Sequence, residues 1–250
     1  MTDDPRDDIA ARRARRRRRL ASALAVALVA TTVTFRRPWF AGNFGVVEPG
    51  RVYRAAQPRD EDQVRRLIRG HGLASILNLR GGSLADPWYA AEVRVTRERG
   101  VDFYDFPMSA TRRPTRRELL VLLDLFGRCR YPVLIHCKSG SDRTAMASAL
   151  YLMAGRGVGP ERAGRAFSLA YGHVPFGGPE HLHAPFLEYG AWLKARGLPH
   201  TPERFRRWVE RDYPDDAPTN AFRPLRPGPR DHLAERPDPG PPRAGGPVVR

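Results

Sequence analysis

The apolar run PVLIH, residues 132–136, is the feature that most constrains the fold. It leads directly into the loop CKSGSDR and then into TAMASALYLMAG (144–155), which is rich in strong helix formers. A continuous apolar run of this length is typical of a strand buried on both faces of a parallel sheet. The order strand, loop, helix therefore predicts a β/α unit, with the loop between the end of the strand and the start of the helix.

The same alternation of patterns extends from residue 50 to residue 212. Strands are predicted where apolar, β-branched and aromatic residues cluster, at 51–55, 75–79 and 101–106. Helices are predicted from capping residues and apolar periodicity, from Asp60 to about 71, from Asp86 to about 100, after the capping box of Thr115 and Glu118, and at 160–171, 185–195 and 201–212. Repeated βα units predict an α/β fold with a central, mostly parallel sheet flanked by helices on both faces.

The N-terminal segment, 1–40, carries seven Arg between residues 12 and 19, followed by sixteen uncharged residues from Leu20 to Phe35. Sixteen helical residues span roughly 24 Å, short of a hydrocarbon core of ~30 Å unless residues 38–40 extend the span. We expect an uncleaved membrane anchor, and the alternatives are a cleaved signal peptide and a soluble arm. In both membrane cases the Arg cluster stays cytoplasmic, so the domain is extracytoplasmic, or secreted or periplasmic after cleavage.

The C-terminal segment, 213–250, holds ten prolines and little apolar content, which predicts a disordered tail. The folded domain is therefore expected at 45–212. Of the net charge of +16, residues 1–37 carry +6 (ten Arg, four Asp) and residues 214–250 carry +1 (six Arg, five acids), which leaves +9 for the remainder. A basic domain suits nucleic acid, anionic lipid or a phosphorylated substrate. With no RNA- or DNA-binding motif in the sequence, we expect no nucleic-acid partner.

The loop after the predicted strand has the composition of a phosphate site. The start of a helix offers unpaired N–H groups and a positive dipole end to a phosphate dianion, and Gly140 permits the tight curvature. Arg143 brings a planar fork that holds two phosphate oxygens at once. The same field favours the thiolate of Cys137, which is the attacking species. Lys138, Ser139, Ser141 and Asp142 complete the predicted phosphate-binding loop. Cys129, the only other cysteine, is too distant along an extended segment to pair with Cys137.

His136, Cys137, Arg143 and Thr144 match the signature His-Cys-x5-Arg-Ser/Thr, so the sequence resembles the cysteine-dependent protein tyrosine and dual-specificity phosphatase superfamily. RVYRAAQP (51–58) and SILNLRGG (75–82) resemble its bacterial dual-specificity-like members. The resemblance implies a protein tyrosine phosphatase-like fold and a phosphoenzyme mechanism without metal or cofactor. In that mechanism Cys137 attacks phosphorus, Arg143 binds the equatorial oxygens, Thr144 assists the departing thiolate and His136 supports the loop.

The general acid is the open question. The family usually supplies an Asp from a separate loop about thirty residues upstream; Asp105 lies 32 residues before Cys137, but the turn after it holds no acid. Asp142 lies inside the loop, and an Asp just before the signature Arg resembles the myotubularin-like and inositide-directed branch. We favour Asp142 and keep Asp105 as the alternative. A second departure is small: Ala145 stands where many members have glycine.

Several other residues are candidates with a weaker signal. Lys138 adds a positive charge beside the nucleophile, as in phosphatases resembling those that act on inositol lipids, although a solvated lysine is equally expected. Arg80 could reach the same mouth, and Tyr171-Gly172-His173 could form a lip, but a surface role and a helix cap respectively are favoured. His181 and His183 lack further ligands at metal spacing, so we expect no metal.

A phosphomonoester hydrolase is thus the leading hypothesis, acting on phosphotyrosine and phosphoproteins or on membrane phospholipids and inositides. A non-catalytic phosphate- or phospholipid-binding module is the main alternative, and a sulfurtransferase is a weaker one that the Arg-Thr pair fits less well.

Overall fold

The computed structural model describes residues 16–26, 28, 31–32 and 42–214. Residues 16–26 are helical and exposed. Within the described ranges, no helix is both long enough and apolar enough to cross a bilayer. The predicted anchor lies partly outside these ranges and the predicted tail lies outside them from residue 215 onward, so both stay predictions.

A five-stranded sheet forms the centre of the domain, in the order β1-β2-β5-β3-β4. Its strands are β1 (Gly45–Glu48), β2 (Val52–Ala56), β3 (Ser75–Asn78), β4 (Asp102–Asp105) and β5 (Val133–Cys137). The pairs β2–β5, β3–β5 and β3–β4 are parallel, and only the pairing of β1 with β2 is antiparallel. The predicted mostly parallel α/β architecture is confirmed, and β5 lies at the centre of the sheet.

The strand β1 is the one that the sequence analysis did not predict. It is a four-residue edge strand whose Val46 is half exposed, so it lacks the apolar pattern of a buried strand. It is joined to β2 by the turn at Pro49-Gly50, where Gly50 has a φ of 69°. A short antiparallel hairpin of this kind is read from turn residues rather than from apolar content.

Apolar residues alternate between the two faces of the sheet. Ile76 and Leu134 belong to one buried cluster, and Leu77 and Ile135 belong to the other. Each cluster is closed by helices, because a strand buried on both faces needs a covering layer on each side.

Seven α-helices follow the strands in the described domain: α1 (Glu61–His71), α2 (Pro87–Arg99), α3 (Arg116–Arg128), α4 (Asp142–Arg156), α5 (Pro160–Ala163), α6 (Ala184–Arg196) and α7 (Pro202–Arg211). Their starts agree with the predicted caps. Asp60 accepts a hydrogen bond from the N–H of Gln63, and Thr115 and Glu118 form the full capping box.

The helix predicted over 160–171 is wrong in its length. It is a four-residue α5 followed by two 3-10 turns, Gly164–Ala166 and Leu169–Tyr171. Gly164 weakens the helix after its first turn, since glycine in a helix interior is destabilising by about 1 kcal/mol relative to alanine. Ser168 then caps the second 3-10 turn by accepting a hydrogen bond from the N–H of Ala170. The segment therefore consists of three short helical pieces where one continuous helix was expected.

Candidate active site

Cys137 is the last residue of β5 and lies opposite Ala56 of the neighbouring β2. Its side chain is buried, with 1% exposure. Both cysteines are free thiols. Because β5 is flanked by parallel strands on both sides, its carboxyl end opens at the edge of the sheet where open α/β folds bind their ligands.

The loop of residues 138–141 turns its carbonyl groups outward. Asn43 Nδ2 donates to the carbonyl of Ser139 at 2.8 Å, and Arg54 Nη2 donates to those of Gly140 at 2.9 Å and Ser141 at 3.3 Å. The N–H of Gln57 contacts the carbonyl of Lys138 at 3.4 Å.

In a planar trans peptide the N–H of the next residue points opposite to the carbonyl. The N–H groups of residues 139–142 are therefore directed to the inner side of the loop. Such a series of convergent N–H groups at a helix N-terminus is an anion-binding arrangement.

Gly140 allows the loop to pass close to the sheet. Its φ is 69°, in the left-handed region, and a Cβ at this position would lie 2.5 Å from the backbone atoms of Ala55 and Ala56. Both the conformation and the space therefore require glycine. The close approach also brings the Gly140 carbonyl within reach of Arg54, which lies on the same strand β2.

Arg143 lies in the first turn of α4 and is fixed by the backbone. Its Nη1 donates to the carbonyl of Met108 at 3.1 Å and contacts that of Leu79 at 3.4 Å. Its buried Nε has no hydrogen-bond partner among the described residues, and neither does the buried hydroxyl of Thr144. The guanidinium is thus anchored at one nitrogen, while its Nε–H has no partner among the described residues.

His136 is wholly buried below the cysteine. Its Nε2 lies 2.9 Å from Glu92 Oε1 on α2, and both side chains are 0% exposed. The contact lacks hydrogen-bonding geometry, so it is a close pair of ionisable groups rather than a directed bond. The His136 carbonyl accepts from the N–H of Leu79 and holds β5 to β3 beyond the last paired residue. His136 therefore joins β5 to β3 through its carbonyl and contacts α2 through its ring.

The two candidate acids lie in different environments. Asp105 is 2% exposed, and its two oxygens accept hydrogen bonds from Asn78 Nδ2 at 3.1 Å and from the Tyr89 hydroxyl at 3.0 Å. The side chain of Asp142 is 21% exposed, and its Oδ1 accepts from the Ser141 hydroxyl at 3.1 Å. Asp105 thus ties β3, β4 and α2 together, whereas Asp142 lies at the loop with its second oxygen outside these bonds.

Among the weaker candidates, Lys138 is exposed beside the cysteine. Arg80 is held over the ring of Trp88 at 4.2 Å and donates to Gln57 Oε1 at 2.8 Å. It lines a polar cavity of about 300 Å³ with Trp88, Asp86 and Asp105. Arg80 therefore occupies a fixed position rather than a freely solvated one. It directly follows Leu79, whose carbonyl contacts Arg143.

Tyr171 and His173 belong to the site through contacts that the sequence did not reveal. The Tyr171 carbonyl accepts from Asn43 Nδ2 at 2.9 Å, and its ring lies 3.9 Å from the guanidinium carbon of Arg54. His173 Nδ1 lies 2.7 Å from Asp142 Oδ1. His183 contacts His173, whereas His181 is exposed. In the part of the chain that the structure describes, no group of three or more His, Cys, Asp or Glu side chains is arranged to hold a metal ion.

Asn43, Arg54 and Glu92 are functional candidates that sequence reasoning missed. The available signal was weak: Arg54 is a charged residue inside an otherwise apolar strand, and Glu92 is an acid among the buried residues of a helix. A buried charge of this kind needs a partner, but the sequence alone does not say which.

Comparison with known proteins gives one family match. Residues 41–171 match the family model described as Swiss Army Knife protein, DSP-PTPase phosphatase domain (PTP-SAK). No curated protein matches the sequence significantly. Among solved structures, P. aeruginosa TpbA is 19% identical, with 58% of this chain and 96% of that chain covered and a TM-score of 0.40. The core catalytic domain of the PP-IP phosphatase SIW14 from S. cerevisiae is 20% identical, with 64% and 96% covered and a TM-score of 0.46.

Proposed function

The chain belongs to the DSP-PTPase phosphatase family, and we propose that it hydrolyses phosphomonoesters through a cysteinyl-phosphate at Cys137. The observation that best supports this proposal is the loop of residues 138–141, whose carbonyls are held outward by Asn43, Arg54 and Gln57. The inward N–H groups and the guanidinium of Arg143 then surround the position in front of the Cys137 sulfur. This arrangement suits a phosphoryl group, whose three equatorial oxygens carry the charge in the transition state.

Two displacements at phosphorus complete the proposed reaction. In the first, the Cys137 thiolate forms the S–P bond while the ester P–O bond breaks, and Asp142 gives its proton to the departing oxygen. In the second, water attacks phosphorus and transfers a proton to Asp142. The S–P bond breaks, phosphate leaves, and the Thr144 hydroxyl stabilises the returning thiolate. After the two steps Asp142 is protonated and Cys137 is a thiolate again, so the chain needs no cofactor for this cycle.

Two substrate classes are proposed for this site, phosphotyrosine or other phosphoproteins and membrane phospholipids or inositides. The exposed Lys138 beside the nucleophile and the fixed Arg80 near the strand ends add positive charge at the mouth. Charge of this kind attracts substrates with more than one anionic group. It favours a lipid phosphate or an inositide slightly over a phosphotyrosine peptide.

The location of the domain is proposed from the charges around the apolar segment. Seven arginines at positions 12–19 lie directly before residues 20–35 and only two follow directly, so we propose that the domain faces away from the cytoplasm. A reporter that is active only outside the cytoplasm, fused after residue 250, should give a signal. Signal only from a cytoplasm-active reporter would place the domain inside.

The test of the proposed chemistry is rapid quenching of the full-length protein with a phosphotyrosine peptide, a phosphoserine peptide and vesicles containing phosphoinositides or phosphatidylglycerophosphate. The wild type should accumulate a thiol-linked phosphate on Cys137. Cys137→Ser should lose at least ~10³-fold in kcat, because removal of a nucleophile abolishes its pathway, while it still binds vanadate. Cys129→Ser is the matched control and should keep wild-type turnover. Vanadate binding without turnover of any substrate by the wild type would favour the non-catalytic module.

A further inference from the structure

Asp142 is the first member of a chain of three ionisable side chains. Its Oδ1 lies 2.7 Å from His173 Nδ1, and His173 Nε2 lies 2.8 Å from His183 Nε2. The three residues come from separate elements: Asp142 starts α4, His173 follows the 3-10 turn Leu169–Tyr171, and His183 ends the 3-10 turn Pro179–His183. The fold therefore brings together groups that are up to 41 residues apart.

The environment of the two imidazoles holds them in place. The His173 side chain is 3% exposed. The ring of Phe167 stacks on His183 with centroids 4.0 Å apart and lies 4.9 Å from that of His173. Shielding from water strengthens the contacts between the polar atoms, and packing against an aromatic ring limits rotation. The imidazole of His173 is thus set in one orientation toward Asp142.

The contact between the two histidines constrains their protons. One of the two Nε2 atoms has to carry the hydrogen and the other has to accept it. Burial lowers the pKa of His183, and so does the neighbouring His173, while Glu180 acts in the opposite direction. When the carboxyl proton of Asp142 is on Oδ2 or absent, Oδ1 can only accept, so His173 carries a hydrogen on Nδ1 and donates it to Oδ1. A neutral His173 in that tautomer has a bare Nε2, which accepts the Nε2–H of His183.

We infer that His173 is a positioning residue for Asp142, and that His183 fixes the tautomer in which His173 donates to that carboxyl group. The inference rests on the proposed function, in which Asp142 is the general acid. With Oδ1 engaged by His173, the proton to be transferred is carried on Oδ2, which is free to meet the leaving oxygen.

The arrangement also stabilises the charge that the reaction creates. When Oδ2–H gives its proton to the departing oxygen as the P–O bond breaks, Asp142 becomes a carboxylate. The Nδ1–H of His173 is already directed at that carboxylate, and a hydrogen bond to a charged acceptor is about twice as strong as one to a neutral acceptor. In the hydrolytic step, water returns a proton to Oδ2 while its oxygen bonds to phosphorus. The two histidines therefore act without a net change in their own protonation.

The experiment measures kcat/KM for aryl and alkyl phosphate monoesters of rising leaving-group pKa in the full-length protein. Asp142→Asn should steepen the dependence on leaving-group pKa, because a poor leaving group needs a proton donor. His173→Phe should produce the same steepening, with about a tenfold loss on p-nitrophenyl phosphate and at least ~100-fold on an alkyl phosphate. His173→Asn places an amide N–H where Nδ1–H was and should recover most of the loss.

His183 is tested by the same logic. His183→Gln keeps an N–H near the Nε2 position and should retain the wild-type slope, whereas His183→Leu should steepen it by a smaller amount than His173→Phe. His200→Leu is the matched control. His200 is also a half-buried imidazole, and it contacts the Tyr189 hydroxyl and the Met153 carbonyl. It is not one of the three linked side chains Asp142, His173 and His183. Its replacement should leave the slope unchanged.

The outcomes separate the inference from the proposed function. If Asp142→Asn steepens the slope and the His173 variants leave it unchanged, Asp142 is the acid but the positioning role is wrong. If Asp142→Asn leaves the slope unchanged while Cys137→Ser is inactive, cysteine catalysis stands but Asp142 is not the general acid. The inference about His173 then fails as well, because it depends on Asp142 in that role. If His173→Phe does not fold, the rescue by His173→Asn and the contrast between the two His183 variants decide the question.

Discussion

Arg54 is the residue whose replacement tests most directly how the phosphate-binding loop keeps its shape. Arg54→Met removes a buried guanidinium and keeps most of the aliphatic volume. The residue is 2% exposed and donates to the carbonyls of Gly140, Ser141 and Ala166. The Ser141 carbonyl also accepts from the N–H of Ala145 at 2.8 Å. The substitution therefore removes the described donor of two carbonyls, those of Gly140 and Ala166.

The size of the effect follows from these two carbonyls. A buried acceptor left without a donor costs about 1–3 kcal/mol, so two of them lower the free energy of unfolding by roughly 2–6 kcal/mol. Part of this is regained because a charge no longer has to be kept in the interior, and we expect a net loss of about 2–3 kcal/mol. The Gly140 carbonyl also becomes free to turn inward and replace an N–H donor by an acceptor. Vanadate binding should weaken at least ~30-fold, equivalent to about 2 kcal/mol.

The assays are urea unfolding and the Kd of vanadate. The matched control is Arg94→Met on α2, where the side chain is 62% exposed and pairs with Glu61. An exposed ion pair contributes about 0–1 kcal/mol, so this variant should unfold close to the wild type and bind vanadate normally. An Arg54→Met protein with the wild-type Kd for vanadate would refute the idea that Arg54 sets the direction of the loop carbonyls.

Three further predictions address the site and the domain boundary. Arg143→Lys should lower kcat/KM at least ~100-fold, since a point charge does not replace a bidentate contact, and a loss under tenfold would place Arg143 outside the site. Asp105→Asn should lower the free energy of unfolding by about 1–3 kcal/mol and leave the leaving-group slope of kcat/KM unchanged, because both carboxylate oxygens are hydrogen-bonded within the fold; a steeper slope would make Asp105 the acid. A fragment of residues 42–214 should fold and keep kcat/KM for a soluble aryl phosphate within about twofold, and aggregation would contradict the predicted boundary.

The parts of the fold that the sequence predicted are those specified over short distances. The capping box of Thr115 and Glu118 spans four residues, and the apolar run of β5 is continuous. Both patterns are therefore visible in a single window of sequence. The same is true of the signature from His136 to Thr144, because a loop between a strand and a helix carries its nucleophile and its arginine on one short piece of chain.

The parts that it did not predict depend on which elements become neighbours. Asn43 contacts Ser139 across 96 residues, and Arg54 contacts Gly140 across 86. Neither pairing follows from periodicity, which gives the face on which a residue lies but not the element that covers it. The length of the helix expected at 160–171 fails for a related reason, since the two 3-10 turns bring Tyr171 and His173 to the loop.

The contrast between features specified by a short stretch of sequence and contacts formed between distant elements has a consequence for how the site responds to mutation. The groups proposed to react lie on a loop of a few residues, but the direction of its peptide dipoles is set by Asn43 and Arg54, which meet it only when the sheet has assembled. A buried cation such as Arg54 attracts the carbonyl ends of the loop peptides, and because each peptide is planar, the opposite N–H ends face the phosphate position. The desolvation of Arg54 is therefore compensated by the same dipoles that bind the anion. Substitutions in β2 or near Tyr171 should accordingly weaken anion binding even where they leave Cys137, Arg143 and Asp142 intact.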